Sequence, residues 1–379
     1  MNKRKLSLQI ASALAVVFFL NSCSSNENFD DPINPEVPTE PIAELKGFYL
    51  LNAGNMSMNK AALDYMDFET GIYEKEVFRT ENPEEVGGLG DVGNDMGIYG
   101  SKLYVVVNAS NKVEVLDANT RKKIKQINID NCRYIKFYKG KAYLSTYLGV
   151  IGDPNAVNGK IMEIDTTSLS VTRSVNVGRQ PEELVVHNDK IYVANSGGYS
   201  PPNYESTVSV IDIASFEETK RIEVGINLHR MQMDSEGDLY VSSRGDYYET
   251  PSKLFVVDTE IDEVKTSFDL AVGNMTISDD IMYIYSTEFS FFTGEMTVSY
   301  NLLDTKTETI LQDSFITEDS KDLIQVPYGI EINPETKDIL ITDAKDYATP
   351  GKLYCFSSEG VLKWSVETGD IPNKVVFKY

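Results

Sequence analysis

The sequence predicts an all-β fold, a seven-bladed β-propeller closed by its N- and C-terminal strands. Three observations carry this prediction: a strand motif that recurs seven times, a second strand that follows each copy, and two chain ends that complete each other. The first strands read YLLN (49–52), YVVV (104–107), YLST (143–146), YVAN (192–195), YVSS (240–243), YIYS (283–286) and ILIT (339–342). The strands that follow read ALDYMD (62–67), VEVLD (113–117), IMEID (161–165), VSVID (208–212), LFVVD (254–258), VSYNLLD (298–304) and LYCFS (353–357). Period-two alternation, β-branched and aromatic enrichment and Asp-x-x-Thr/Ser turns all specify β-strands, and no segment after the leader has a helical period.

One whole unit spans residues 182–224 as EELVV, KIYVAN, TVSVID and KRIEV, strands A to D from the axis outwards. The last segment, residues 373–379, is an A strand with nothing after it, and residues 47–78 supply B, C and D with no A before them. Together they make one blade, a clasp that leaves no open sheet edge.

Ahead of the propeller lies a leader. Lys3, Arg4 and Lys5 precede an apolar run (6–20) that ends on Leu-Asn-Ser-Cys, with Cys23 last. This resembles a lipoprotein signal peptide (1–22) whose cysteine is acylated, and three acyl chains exceed what stable membrane anchoring needs. Residues 23–46 then read as a lipidated cysteine and a polar, Pro-containing acidic tether, too poor in apolar residues to fold alone. Glu27, Asp30 and Asp31 resemble an export signal of anaerobic gut bacteria, so the expected location is the outer membrane, lipid-anchored and facing the cell exterior.

Removing the three basic leader residues leaves 32 Lys and Arg against 58 Asp and Glu, a net charge of about −26. That balance excludes nucleic acid and anionic membrane faces as partners. Cys132 and Cys355 fall in different repeats and read as two free core thiols.

Because strands alternate in direction, the B–C loops and D–A connections share one face and the A–B and C–D turns the other. The A–B turns are short (99–102, 187–190, 234–238). The B–C loops (52–59, 146–158, 195–205, 244–251, 287–294, 343–350) are long and carry Asn195, Tyr147, Tyr199, Tyr204, Tyr247, Tyr248, Phe291 and Tyr347. The D–A connections add Arg133, Arg179, Gln180, His229 and Arg230, and Arg244 opens a B–C loop. Tyrosines and arginines are the types enriched where binding energy concentrates, and loops on a rigid scaffold are where such residues act. The arginines have two readings that sequence leaves open: pairing with a neighbouring blade's carboxylate, or forking onto a phosphate or a carboxamide-bearing ligand.

Catalytic signals are poor. The two histidines, His187 on the turn face and His229 on the loop face, share no metal-ligand spacing; His187 is expected to be solvated. The GGLG run (87–90) lies in a loop rather than between strand and helix, and no G-x-S-x-G elbow occurs. Carboxylates such as Asp343 with Asp346 and Asp91 with Asp95 leave a lyase or hydrolase as the minor alternative, and a calcium ion in an acidic loop as another. No cofactor is required by any motif.

YVAN followed by VSVID resembles the YVTN-type propellers described as surface-layer proteins, which specifies the fold. A narrower likeness covers residues 47–379 and rests on GDVGNDMGIYGSKLY (90–104), NCRYIKF (131–137), YVANSGGY (192–199), NLHRM (227–231), YVSSRGDYYETPSK (240–253), YIYSTE (283–288), PYGIEINPETK (327–337), ITDAKDYATPGKLYCF (341–356) and GDIP (369–372). These segments resemble the surface lipoproteins of gut anaerobes that capture corrinoids, vitamin B12 and its relatives. The resemblance implies a non-enzymatic binding protein that holds cobalamin on a loop face and passes it to a TonB-dependent outer-membrane transporter. A propeller that grips a glycan or a protein partner is the alternative, since long aromatic loops suit sugars equally well.

Overall fold

The computed structural model describes residues 44–149, 153, 156–289, 296–312 and 314–379. Cys23, the leader, most of the tether and Phe291 lie outside the described residues. The described strands form seven four-stranded antiparallel sheets, each ordered A-B-C-D. The inner strands are Pro372–Lys378 (blade 1), Gly93–Tyr99 (blade 2), Cys132–Tyr138 (blade 3), Pro181–His187 (blade 4), Leu228–Met233 (blade 5), Asn274–Ser278 (blade 6) and Pro327–Ile332 (blade 7). Each inner strand packs against the inner strands of both neighbouring blades, which closes a ring around an axis.

The clasp forms as expected. Gly47–Asn52 pairs with Pro372–Lys378 in the register Phe48↔Phe377, Tyr49↔Val376 and Leu50↔Val375, and with Ala62–Asp67 on its other side. Just ahead of it Leu45 is buried and the Lys46 N–H donates to the Lys378 carbonyl at 2.8 Å. Cys132 and Cys355 are buried free thiols.

The repeated residues have repeated jobs. The tyrosines of three YVxN-like strands, Tyr49, Tyr192 and Tyr240, are buried between blades, and their hydroxyls reach the next blade's C–D turn. Tyr49 donates to the Ala118 carbonyl at 2.7 Å and Tyr240 to the Thr305 carbonyl at 3.0 Å. The aspartate that ends each C strand caps the turn that follows: Asp117 accepts the Thr120 N–H at 2.7 Å, Asp165 the Ser168 N–H at 2.7 Å and Asp212 the Ser215 N–H at 2.7 Å.

Two short helices, Val77–Glu81 and Glu318–Lys321, depart from the expectation of strands alone. Both sit in D–A connections, where a single turn has no room for an apolar period. In the first, Val77 and Phe78 insert into the core, and Asn82 bonds the Phe78 and Arg121 carbonyls while accepting the Lys123 N–H. His187 also departs from expectation, being half-buried beside Gly237 with Nε2 2.8 Å from the Asn188 amide nitrogen.

One irregularity positions everything below. The inner strands of blades 1, 2, 3, 4, 5 and 7 each carry an extra residue near their start, between Pro372 and Lys374, Gly93 and Asp95, Cys132 and Ile135, Pro181 and Leu184, Leu228 and Met231, and Pro327 and Ile330. A bulge breaks strict alternation and re-aims side chains. Here it brings successive residues, Arg133–Tyr134, Glu182–Glu183 and His229–Arg230, to the axis together. The N–H groups that the bulge frees are taken by hydroxyls of the B strand: Tyr134 N–H by Ser145 Oγ (3.1 Å), Arg230 N–H by Ser242 Oγ (2.8 Å) and Gly329 N–H by Thr342 Oγ1 (2.7 Å).

Candidate ligand-binding site at the axial mouth of the loop face

Three bulges on adjacent blades bring a charged cluster to the mouth of the axis. Glu182 is fully buried and accepts from three side chains: Arg133 NH2 on Oε2 (2.9 Å), Tyr147 OH on Oε1 (2.6 Å) and Arg244 NH2 on Oε1 (3.1 Å). Burial penalises its charge, but Arg133 and Arg244 outweigh that penalty and hold the carboxyl below its ordinary value. Glu183 repeats the arrangement one residue on, with Arg230 NH1 at 2.9 Å and the Met231 N–H at 2.8 Å. Burial again opposes the charge and Arg230 with Lys136 again prevails, lowering its pKa.

Arg133 spans three blades, since its NH1 donates to Asn94 Oδ1 of blade 2 at 2.7 Å while NH2 reaches blade 4. Its guanidinium lies over the ring of Tyr147 at 4.9 Å and that of Tyr134 at 5.5 Å, which fixes its plane. The Tyr134 hydroxyl stands 3.2 Å from His229 Nε2 and 3.4 Å from Arg230 NH1. Burial first, then the fields of Arg244, Arg230 and Arg133, pushes the His229 pKa well down, so the imidazole is neutral.

Blades 6, 7 and 1 complete the mouth with hydroxyls and amides, and beside Asn373 the Lys374 ammonium pairs with Glu331 of blade 7 at 3.4 Å. Tyr285 donates its hydroxyl to the Tyr328 carbonyl, and the Tyr328 ring meets Tyr347 edge-on at 6.1 Å. Asn373 donates to the Asn94 carbonyl at 2.7 Å. Tyr199, tilted against Tyr147 at 6.2 Å, closes the rim over blade 4.

The B–C loops leave their strands by a shared route. Two residues past the strand end the backbone turns left-handed at Gly54 (φ 71°), Gly197 (φ 54°), Gly245 (φ 63°) and Lys345 (φ 50°). At Gly245 a Cβ would meet the Thr250 carbonyl at 2.0 Å, so only glycine fits. Two residues further, equivalent positions carry Met56, Tyr199, Tyr247 and Tyr347, which are 56, 40, 54 and 42 % exposed. That exposure at one loop position marks a crown of large side chains turned to solvent rather than into their own loops. Asp246 and Asp346 each fold their loop by accepting consecutive backbone N–H groups (2.8–2.9 Å and 2.8–3.0 Å).

Of the residues singled out from sequence, Arg133, Tyr147, His229, Arg230 and Arg244 meet at the mouth, with Tyr199 and Tyr347 on its rim. Tyr247 and Tyr248 stand on the blade 5 loop, and Tyr204 lies against them: burial, then Tyr247 and Asp246, raises its pKa. Arg179, Gln180 and Asn195 are engaged in the blade 3–4 connection instead. Arg179 bonds Glu205 at 2.7 Å and the Asn203 carbonyl at 2.6 Å. Gln180 accepts the Tyr199 N–H at 2.8 Å, and the buried Asn195 accepts the Gly178 N–H and donates to Thr207 and Ser209. Glu182, Glu183, Tyr134 and Tyr328, in the opening residues of A strands, and Tyr285, on the B strand of blade 6, join the mouth without having been singled out.

The paired carboxylates accept backbone N–H groups. Asp343 caps the Val326 and Lys345 N–H groups at 2.8 Å, and the buried Asp95 accepts the Ile135 N–H at 3.0 Å. Among the described residues no group of three metal-ligating side chains converges. A cleft of about 280 Å³ lies off the axis, where blade 1 meets blade 7, lined by Lys60, Lys75, Phe78, Leu89 and Asp370. Its cations are paired, Lys60 with Asp370 at 2.8 Å and Lys75 with Glu367 at 2.9 Å, so it is a seam of the clasp.

Residues 46–373 match the family described as a domain of unknown function, DUF5074. No curated protein matches the chain by sequence. Among solved structures it is similar to a putative 6-phosphogluconolactonase of Bacteroides fragilis (12 % identity, TM-score 0.59, 90 % of this chain and 100 % of that one). It is also similar to a quinonprotein alcohol dehydrogenase-like protein of Bacteroides thetaiotaomicron (14 % identity, TM-score 0.55, 88 % and 78 %). A third likeness is to the hydrazine synthase of Kuenenia stuttgartiensis (13 % identity, TM-score 0.61, 75 % and 89 %). At these identities the likeness is one of fold.

Proposed function

The chain belongs to this family of propeller domains of unknown function, and we propose that it is a non-enzymatic surface lipoprotein that captures a corrinoid. The ligand lies across the axial mouth and crown of the loop face, and the propeller passes it to a TonB-dependent transporter in the outer membrane below. The observation that carries this reading is the composition of the mouth: tyrosine faces and rims, three arginines and several amides around one axis. A corrinoid is a broad amphipathic disc fringed with amides and bearing one phosphate, which calls for aromatic edges and dispersed hydrogen-bonding groups rather than a narrow apolar pocket. Acylation of Cys23 would tie the propeller to the membrane through the tether.

The direct experiment is isothermal titration of the soluble chain with cyanocobalamin, alongside a melting curve. Saturable heat with a raised melting temperature is expected, and neither appearing at micromolar ligand would overturn the reading. The exposed crown of Tyr199, Tyr247 and Tyr347 supports a second reading, a glycan stacked on those rings. A panel of oligosaccharides in the same assay separates the two. Radiolabelled palmitate should enter the full chain in cells and be lost in Cys23→Ala.

A further inference from the structure

We propose that the axial mouth is a receptor for one monoanionic phosphodiester group, held by the N–H edges that Arg230 and Arg244 leave unused. This rests on the capture reading only for the identity of the ligand that carries the group. Five cations, Arg133, Arg230, Arg244, Lys136 and Lys374, face four carboxylates there, Glu182, Glu183, Asp95 and Glu331. The cluster thus keeps one positive charge in excess, inside a chain whose formal net charge is −23. A purely structural cluster would be expected to balance.

The donors are equally unbalanced. A guanidinium carries five N–H groups in a fixed fork. Among the described residues Arg230 NH2 and Arg244 NH1 make no hydrogen bond and are not among the fully buried atoms, so both can meet a ligand. Guanidinium groups already anchored by Glu182 and Glu183, with accessible N–H groups left over, form a donor set ready for an anion. The rings of Tyr134 and Tyr147 hold Arg133 in place, and Tyr134 also faces Arg230 at 5.7 Å, so the fork edges are set before anything binds. His229, kept neutral among these cations, adds no charge of its own.

Geometry selects the type of anion. A carboxylate presents two coplanar oxygens and is served by one fork. Here the donors come from the inner strand of blade 5 and from the start of the blade 5 loop, a convergence from separate directions that suits tetrahedrally placed oxygens. One excess charge matches a diester rather than a dianionic monoester.

The test compares cyanocobalamin, which has the phosphodiester, with dicyanocobinamide, the same ring without it, by titration of the whole chain and of Arg244→Gln. Dimethyl phosphate serves as the isolated group in melting curves. The wild type should prefer cyanocobalamin by about tenfold or more, the worth of hydrogen bonds to a charged group. That preference should shrink in Arg244→Gln, and dimethyl phosphate should raise the melting temperature of the wild type alone. Equal affinity for the two corrinoids with no response to dimethyl phosphate would overturn the anion site and leave corrinoid capture standing. No binding of either corrinoid, with dimethyl phosphate still stabilising the wild type, would keep the anion site and remove the corrinoid. Should Arg244→Gln fail to fold, competition between dimethyl phosphate and cyanocobalamin on the wild type decides: displacement supports the site, and none refutes it.

Discussion

Blades 3 to 5 bring Arg133, Glu182, Glu183, Arg230 and Arg244 to the axial mouth, whereas blades 6, 7 and 1 bring Asn274, Tyr285, Tyr328 and Asn373 to the same level. Both halves occupy the opening residues of the inner strand or the B strand and loop beside it. In the charged half, side chains bond one another across blades, so each group depends on partners from one or two other repeats. In the other half, hydroxyls and amides bond backbone carbonyls, as Tyr285 does with Tyr328 and Asn373 with Asn94. The same scaffold position thus supports two kinds of surface, and only the first is costly to disturb one residue at a time.

The largest expected effect sharpens that contrast. Glu182→Ala strands Arg133, Arg244 and Tyr147 around a missing carboxylate, and breaking a buried pair in this way costs about 3–5 kcal/mol. Asn274→Ala, in the other half, removes a 3.4 Å contact to the Tyr328 carbonyl and the 2.9 Å acceptor of the Met275 N–H, and should cost about 1 kcal/mol. Urea denaturation of both variants measures the difference, and equal losses would dissolve the distinction between the halves.

Acid should single out the charged half next. Arg230 and Lys136 outweigh burial at Glu183, and Arg133 and Arg244 do so at Glu182, so both folded carboxyls lie below their ordinary value of 4.5. The unfolded chain therefore takes up these protons first as pH falls. Their stabilisation is complete above about pH 4.5 and is lost on acidification through the lower folded values. Burial raises the carboxyl of Asp95 instead, so its protonation favours the fold and adds nothing to that acid limb. Glu183→Gln should lose stability at neutral pH and show a shallower decline below pH 4.5; an unchanged slope would mean the pair contributes no linkage.

A smaller effect is expected at the hydroxyls behind the bulges. Ser242→Ala leaves the buried Arg230 N–H without its 2.8 Å acceptor, a loss of about 1–3 kcal/mol. Blade 4 has Ala194 at the equivalent place and bulges without a hydroxyl, so the lower part of that range is expected by equilibrium unfolding.

These effects also mark what was legible in advance. Seven blades, the clasp and the identity of the loop face followed from repetition, because strand period, tyrosine staple and Asp-capped turn recur with the same physical task. Arg133, His229, Arg230 and Arg244 were legible as loop-face residues for the same reason. Glu182 and Glu183 were not, since EELVV reads as an alternating strand and the bulge that turns both carboxylates to the axis has no residue type of its own. Asn195 misdirected attention in the opposite sense: it ends a B strand beside a rich loop, yet it is fully buried and bonds Gly178 of blade 3 and Thr207 and Ser209 of its own blade. Side-chain chemistry is written in sequence, and which way a bulge aims it is not.

The smallest effect belongs to the crown and tests whether the half made by blades 6, 7 and 1 takes part in binding at all. Tyr347 projects from the blade 7 loop with its ring edge-on to Tyr328, so its loss removes one aromatic wall without touching the charged cluster. An aromatic contact of this kind is worth about 0.5–1.5 kcal/mol, or at most about tenfold in affinity. Tyr347→Ala should therefore weaken cyanocobalamin by a few-fold while leaving the melting temperature of the free chain nearly unchanged. Tyr248, 86 % exposed on the blade 5 loop, is the matched comparison, and its replacement by alanine should change affinity less. Should Tyr248→Ala prove the more damaging, the ligand leans outward over blade 5, and the half made by blades 6, 7 and 1 is wall rather than floor.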